Sequence, residues 1–211
     1  MIKTRILFAK EGALRFIGHL DFLRVFGQML RRTNLPLAYS QGFNPHIQLG
    51  FALPLPLGMA STNDYADLTF AAPINLAEAA AIMQAQAPAG LTIRRIWEYE
   101  GRAAASVTYA ADYTFQGEIA IDLISAPEYI IAKKTKSGIK DTDIRPDIFA
   151  IYNEGTQITM KLAAGSGRFL NPLTVAQLII GPGRRQITAG EVTRTELYER
   201  VGEGFVALGR G

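Results

Sequence analysis

The sequence predicts an α+β protein, because strand-like runs and amphipathic helical segments alternate along the chain in an order that repeats once. The chain has 211 residues, of which 48% are hydrophobic and 19% are charged. This composition supplies a packed core and excludes a mainly disordered protein. At about 150 residues per domain, the length corresponds to one large domain or two small ones.

The clearest element is a helix that begins at Gly18 or His19 and ends near Thr33. Apolar residues recur along it at intervals of three and four, which predicts one buried face and one polar face. The apolar face contains Phe22, Leu23, Phe26, Met29 and Leu30, and the polar face contains Asp21, Arg24, Gln28, Arg31 and Arg32.

The rest of the first half predicts four strands and a second helix. One strand begins at Leu37, a turn over Ser40–His46 interrupts it, and an extended run resumes at Ile47. The order of elements is therefore β-α-β-β-α-β. The other strands are expected at Ile2–Phe8, Tyr65–Phe70 and Leu91–Tyr99, and the helix at Leu76–Ala87 after the N-cap Asn75.

The second half repeats this order more loosely. We predict two ferredoxin-like subdomains, residues 1–100 and a shortened, degenerate copy at residues 101–211. The expected elements of the copy are strands at Val107–Gln116, Tyr129–Lys134, Thr156–Leu162 and Ile187–Thr195, a strand or helix at Ile144–Asn153, a helix at Leu173–Ile180 and a frayed end at Val206–Gly211.

Composition also excludes several kinds of site. The chain has no cysteine and two histidines, which excludes disulfides, a thiolate nucleophile and Cys-ligated zinc or iron–sulfur centres, and we expect no metal site. No apolar stretch reaches the ~18 residues of a membrane helix, and residues 1–5 open with charge rather than the apolar run of a signal peptide. We therefore expect a cytoplasmic protein without a membrane partner.

The start of the long helix and its basic stripe are candidate anion sites. Backbone N–H groups at Gly18 and His19 point outward, and the imidazole adds a hydrogen bond or a proton. Arg24, Arg31 and Arg32 can hold phosphates. The alternatives are that His19 only packs or caps the helix and that the arginines form an ordinary solvated face.

The interrupted strand contains a candidate nucleotide-binding loop. Phe43, with Tyr39 before it, can stack on a base, Gln41 and Asn44 can bond its edge, and His46 can donate to a phosphate. The alternative is that Phe43 only anchors the loop on the core. The predicted loop residues are Ser40, Gln41, Gly42, Phe43, Asn44 and His46.

A series of motifs follows a fixed order along the chain. They are Lys10–Gly12, Phe16–Asp21, Arg24, Arg31-Arg32, Leu35-Pro36, Tyr39–His46, Ala52–Gly58, Asp143–Pro146 and Arg194–Tyr198. Together they resemble the bacterial radical-SAM-linked family of unknown function, whose members stand alone beside a radical SAM protein or are fused behind one. The resemblance covers nearly the whole chain and is strongest before residue 70.

The resemblance implies a radical SAM protein as partner. Because this chain has no cysteine, the iron–sulfur cluster and S-adenosylmethionine are expected only in that partner. Genes for ribosomal proteins and ribonucleases are frequent neighbours of this family, which implies tRNA or rRNA as substrate. Arg145 and Arg194 lie in the later motifs and join the expected RNA- or anion-binding residues.

Three functions follow from these observations. The leading hypothesis is a non-catalytic accessory or substrate-binding module that presents RNA to a radical SAM enzyme. The first alternative is a metal-independent endoribonuclease with His19 or His46 as general base and Arg24 stabilising the transition-state charge. The second is a protein-docking module without an RNA role, whose surface is the rigid run Leu53–Leu57.

Overall fold

A computed structural model of the protein describes residues 1–135, 138–181 and 183–210. Within these residues, nine strands form one mostly antiparallel sheet, two more form a separate hairpin, and there are four α-helices. The strands are β1 (Ile2–Lys10), β2 (Leu49–Phe51), β3 (Ala60–Phe70), β4 (Leu91–Glu98), β5 (Thr108–Gln116), β6 (Ile130–Thr135), β7 (Gly138–Asp143), β8 (Ile148–Glu154), β9 (Gln157–Ala163), β10 (Thr193–Val201) and β11 (Gly204–Ala207). The helices are α1 (His19–Arg31), α2 (Leu76–Gln86), α3 (Ala104–Val107) and α4 (Pro172–Ile180).

In the first half the strand order is β4-β1-β3-β2, with antiparallel pairing throughout. Helix α1 connects β1 to β2, and α2 connects β3 to β4. Both helices pack on the same face of the sheet, the face to which alternate apolar residues of β1 and β3 point. This core contains Ile6, Phe8, Ala66, Leu68 and Phe70 from the strands and Phe22, Phe26, Met29, Leu30, Ala79 and Met83 from the helices.

In the second half the strand order is β10-β5-β9-β8, again antiparallel. Helix α4 connects β9 to β10, and the hairpin of β6 and β7 lies between β5 and β8. The helix buries Val175, Ala176 and Ile179 against the sheet.

The two halves share one sheet and one part of the core. Strand β10 pairs in parallel with β3 over two positions, Thr193 with Ala60 and Arg194 with Ser61. Met59 and Tyr65 from the first half belong to the same buried cluster as Leu197 from the second. The mixed α+β class is therefore confirmed, whereas the division into two ferredoxin-like subdomains stays a prediction.

Helix predictions agree with the structure within two residues at most ends. Asn75 is the N-cap of α2, where its side chain accepts hydrogen bonds from the backbone N–H of Ala77 and Glu78. Helix α1 ends at Arg31, and Asn34 then adopts a positive φ of 55°. No helix among the described residues is long and apolar enough to cross a membrane.

Several strand predictions are wrong. Leu37 and Tyr39 form only isolated bridges, and the expected closing strand Ile187–Thr195 contains a 3₁₀ turn, so that β10 begins at Thr193. The expected frayed end Val206–Gly211 begins inside a strand instead, because Val206 and Ala207 belong to β11, which pairs with β10, and Leu208 after them is buried. Of that segment, Gly211 lies outside the described residues.

Candidate functional site

A groove runs between α1 and the residues that lead into β2. We refer to this cavity as the α1 groove, and its volume is about 460 Å³. Arg24, Gln28 and Arg31 lie on one side of α1 because residues three and four apart share a helix face. The groove is lined by Leu23, Arg24, Gly27, Gln28, Arg31, His46, Ile47 and Leu49.

The α1 groove gathers three of the predicted anion-binding side chains. Arg24, Arg31 and His46 are all exposed at its rim. Arg24 donates to Asp21 Oδ1 at 2.8 Å, and since both side chains are mostly exposed this pair is weak and easily exchanged. Arg31 forms no ion pair with any residue that the structure describes.

The predicted loop projects from the end of this groove. Ser40 N donates to His46 O at 2.8 Å, and Ser40 Oγ accepts from His46 N at 3.0 Å, which closes the base of the loop. Gly42 has a φ of 128°, a conformation that other residues rarely adopt. Gln41, Gly42 and Asn44 are exposed, and Phe43 at the tip is fully exposed, at 106%. Phe43 therefore does not anchor the loop on the core.

The N-terminal end of α1 lies outside the α1 groove. Gly18 is the N-cap residue, and the ring of His19 packs edge-on against Phe51 at 5.8 Å between centroids. His19 lines a small crevice with Lys10 and Asp64, apart from the α1 groove. The structure therefore brings His46 and Arg24 together and leaves His19 outside that group.

Arg32 also lies outside the α1 groove. Its guanidinium donates to the backbone carbonyl of Gln86 at 2.9 Å and to the Gln86 side chain at 3.4 Å. These contacts tie the C-terminal end of α1 to that of α2, so the side chain has a structural role. The sequence pattern grouped Arg31 and Arg32 on one polar face. Adjacent residues of a helix point in different directions, and only Arg31 faces the α1 groove.

The expectation that Arg145 binds an anion is corrected by its contacts. Its guanidinium is half-buried and donates to the backbone carbonyls of Ile124, Ala126 and Ile148 at 2.8–3.2 Å. The side chain holds the segment after β5 against the start of β8. Its donors are used inside the fold.

Arg194 requires a stronger correction, because it is fully buried. One guanidinium nitrogen lies 2.5 Å from Asp64 Oδ2, and the carbonyls of Leu53 and Pro54 accept further hydrogen bonds at 3.0 and 3.2 Å. A side chain without solvent exposure cannot meet a polyanion. Its position in β10, at the pairing with β3, assigns it to the junction between the halves.

The same interior holds a charge that the sequence analysis did not assign, the amine of Lys10. Lys10 is 3% exposed, donates to Ile17 O at 3.3 Å and lies 4.6 Å from the ring centre of Phe22. Burial lowers the pKa of the Lys10 amine, and the carboxylate of Asp64 acts in the opposite direction. This crevice is too small to hold more than a water-sized group.

The α1 groove also has an apolar floor, which the sequence pattern did not predict. Leu23, Ile47 and Leu49 are partly exposed there, and Gly27 forms the wall on the helix side. One signal was present in the sequence, because a glycine in the middle of an amphipathic helix requires a reason.

Three large apolar side chains stand out on the opposite end of α1. Phe16, Leu20 and Leu57 are each more than 60% exposed, and a Cβ on Gly58 would lie 3.9 Å from the Phe16 ring. We name these three residues the apolar patch. The predicted docking run Leu53–Leu57 contributes only its last residue, since Leu53 is buried and Leu55 packs against the core.

Among the residues that the structure describes, no group of three or more His, Asp or Glu side chains is placed to hold an ion.

Comparison with known proteins gives a family and no function. A search of curated proteins finds no match to this chain. A family model described as an uncharacterized protein conserved in bacteria (DUF2344) matches residues 3–172, a stretch that includes both the α1 groove and the loop at Ser40–His46. The chain therefore belongs to this family of uncharacterized bacterial proteins.

Proposed function

We propose that the protein is a non-catalytic accessory module that binds RNA and presents it to a radical SAM enzyme. The observation that carries the RNA part is the α1 groove, where Arg24, Arg31 and His46 line one cavity. Phe43, three residues before His46 in the loop, is fully exposed. Such a combination of cations with a solvent-exposed aromatic ring suits a nucleic acid better than a neutral ligand.

Each group in the site has a chemical task in this proposal. The two guanidinium groups attract backbone phosphates, and Arg24 exchanges its weak pair with Asp21 for a phosphate oxygen. The ring of Phe43 stacks on a base, which is tolerant of sequence because every base has an aromatic face. Gln28 and His46 offer hydrogen bonds to a base edge or to the sugar.

RNA binding is tested by filter binding of cellular RNA over a series of salt concentrations. For single strands, the logarithm of affinity falls with the logarithm of salt with a slope of about −0.7 for each phosphate neutralised. The double variant Arg24→Ala/Arg31→Ala should therefore lose about 1.4 of that slope. Arg94→Ala is the matched control, because Arg94 is exposed on β4 and does not line the groove.

Two results would contradict this part of the proposal. One is the absence of salt-dependent RNA binding by the wild-type protein, and the other is equal loss of slope in the Arg94→Ala control. Cleavage of the bound RNA by the wild type, if lost in His46→Ala, would replace the non-catalytic proposal by the endoribonuclease alternative.

The partner is proposed from the resemblance to the radical-SAM-linked family. In this arrangement the partner supplies the iron–sulfur cluster and S-adenosylmethionine, and this chain supplies RNA contacts. The apolar patch supports a protein contact, because Phe16, Leu20 and Leu57 each expose most of a large apolar side chain.

Partner binding is tested by co-purification with a radical SAM protein from the same organism. A complex held by apolar contact survives high salt, whereas one bridged by RNA does not. Leu57→Asp should abolish the salt-resistant complex. Ile139→Asp, which changes an even more exposed apolar residue on β7, should leave it intact. If Leu57→Asp retained the complex, the apolar patch would not be the contact surface. Sequencing the RNA that accompanies the complex tests whether it is tRNA or rRNA.

A further inference from the structure

We infer that the α1 groove holds one unstacked nucleotide, so that the bound RNA is single-stranded there or has a base turned out of its helix. This inference rests on the proposed RNA-binding function and adds the class of RNA to it. It is carried by the shape of the groove and by a glycine that packing does not require.

Gly27 lies in the interior of α1, where glycine weakens a helix relative to alanine. Its φ is not positive, and a Cβ added there would lie 4.0 Å from both Arg31 Nη1 and Ile47 Cδ1, which is ordinary contact distance. Neither backbone conformation nor core packing therefore requires glycine. What the missing side chain does is widen the groove between the helix and Ile47.

The space beside Gly27 has the composition of a base pocket. Its floor is apolar, formed by Leu23, Ile47 and Leu49, and a base face can lie against such a surface. Its rim carries Arg24 and Arg31, which are placed for the phosphates on either side of a base that enters the floor. One cavity thus combines an apolar bed with a cationic border.

The size of the groove restricts the ligand further. About 460 Å³ lies within the range of sites for single small molecules, and a nucleotide belongs to that class. An RNA duplex keeps its bases stacked and presents phosphates, sugars and base edges but no base face, so the apolar floor would stay empty. The exposed ring of Phe43, three residues before His46, provides a stacking partner for a base next to the inserted one.

The test compares one fluorescein-labelled 12-nucleotide RNA as a single strand and annealed to its complement, by fluorescence anisotropy. Gly27→Met fills the groove with a side chain that favours helix, so the variant should melt at or above the wild-type temperature. Gly50→Met is the matched control, because Gly50 is exposed on β2 and an added Cβ there meets nothing within 4 Å.

We expect the wild type to bind the single strand at least about tenfold more tightly than the duplex, and Gly27→Met to lose about the same factor. The control should bind like the wild type. Equal affinity for duplex and single strand, or unchanged binding by a folded Gly27→Met, overturns the inference and leaves RNA binding in place. If Gly27→Met instead loses the radical SAM protein while RNA affinity is unchanged, the groove binds protein and the inference is wrong. If the wild type binds neither RNA form, the proposed function fails as well.

Discussion

The ion pair between Arg194 and Asp64 is the most buried electrostatic contact among the described residues, with side chains 0% and 5% exposed. Burial opposes the charged state of Arg194, while Asp64 and Tyr113 favour it, and the pKa of the guanidinium is raised on balance. Charged groups taken out of water need such partners, because an unpaired charge in the interior is unfavourable.

Removing one partner of this pair should strongly lower the free energy of unfolding. We expect Asp64→Ala to lose about 3–5 kcal/mol of unfolding free energy, because it leaves the Arg194 charge without its carboxylate. Urea denaturation measures this loss. Asp21→Ala is the control, since it removes the partner of the exposed Arg24 and should change stability by less than ~1 kcal/mol. If Asp64→Ala also lost less than ~1 kcal/mol, water would have to reach the Arg194 guanidinium.

The buried carboxyl of Glu196 should make the unfolding free energy depend on pH. Its Oε1 accepts from the hydroxyl of Tyr65 at 2.5 Å, its Oε2 accepts from Asn63 at 3.3 Å, and burial raises the pKa of the carboxyl above its ordinary value of 4.5. The folded state therefore holds a proton that the unfolded state releases. The contribution of Glu196 to stability is complete below pH 4.5 and is lost as pH rises through the raised pKa.

Glu196→Gln removes this titration and keeps an acceptor for Tyr65. We expect the difference in unfolding free energy between variant and wild type to grow in favour of the variant as pH rises from 4.5. Urea denaturation at a series of pH values measures it. Parallel pH curves for the two proteins would mean that the carboxyl titrates normally in the folded state.

At the scale of elements, periodicity found the helices more reliably than the strands. Phe22, Phe26, Met29 and Leu30 are buried along α1 as their spacing predicts, because one helix face must meet the sheet. Strand β7 was not predicted, because its first four residues are all exposed. Without a buried face, apolar and polar residues have no reason to alternate along it. Strand β11 escaped because its pairing with β10 depends on a neighbour that no local pattern reveals.

The candidate site was predictable in its residue types and not in its grouping. Arg24 and Arg31 share a face by helical spacing, and the sequence shows this directly. That His46 joins them while His19 does not depends on how β2 runs beside α1, which is a tertiary property. The buried state of Arg194 was equally hidden, because its carboxylate partner lies 130 residues away.

Arg145 makes several side-chain hydrogen bonds to the segment between β5 and β8. Arg145 holds it through backbone carbonyls of Ile124, Ala126 and Ile148. We expect Arg145→Ala to lose about 2–4 kcal/mol, because several hydrogen bonds to a charged donor disappear together. Hydrogen exchange of residues 120–128 should accelerate at the same time.

Arg184→Ala serves as the control for Arg145, since it removes an exposed ion pair with Glu118 in the same segment. That change should alter stability by no more than ~1 kcal/mol. Equal acceleration of exchange in both variants would mean that the segment depends on net charge and not on the hydrogen bonds of Arg145.

At the scale of the whole molecule, the junction between the halves determines how the protein unfolds. Strands β3 and β10 pair over only two positions, but Met59 and Tyr65 share a buried cluster with Leu197 across the junction. A shared core couples the halves, because neither can open without exposing apolar surface of the other.

We therefore expect urea to unfold the protein in one cooperative transition. Trp97, the single tryptophan, lies on β4 and packs against the buried cluster that the two halves share. Its fluorescence therefore reports on the first half and its junction with the second, whereas far-ultraviolet circular dichroism reports on the whole protein. Coincident midpoints are expected for the two probes. Met59→Ala should lower both midpoints equally, with a loss of about 2–5 kcal/mol of unfolding free energy, because it leaves a cavity in the shared core. Ile139→Ala, at an exposed position of β7, should lower neither. Two separated midpoints, with only one of them moved by Met59→Ala, would establish residues 1–100 and 101–211 as independently folding domains.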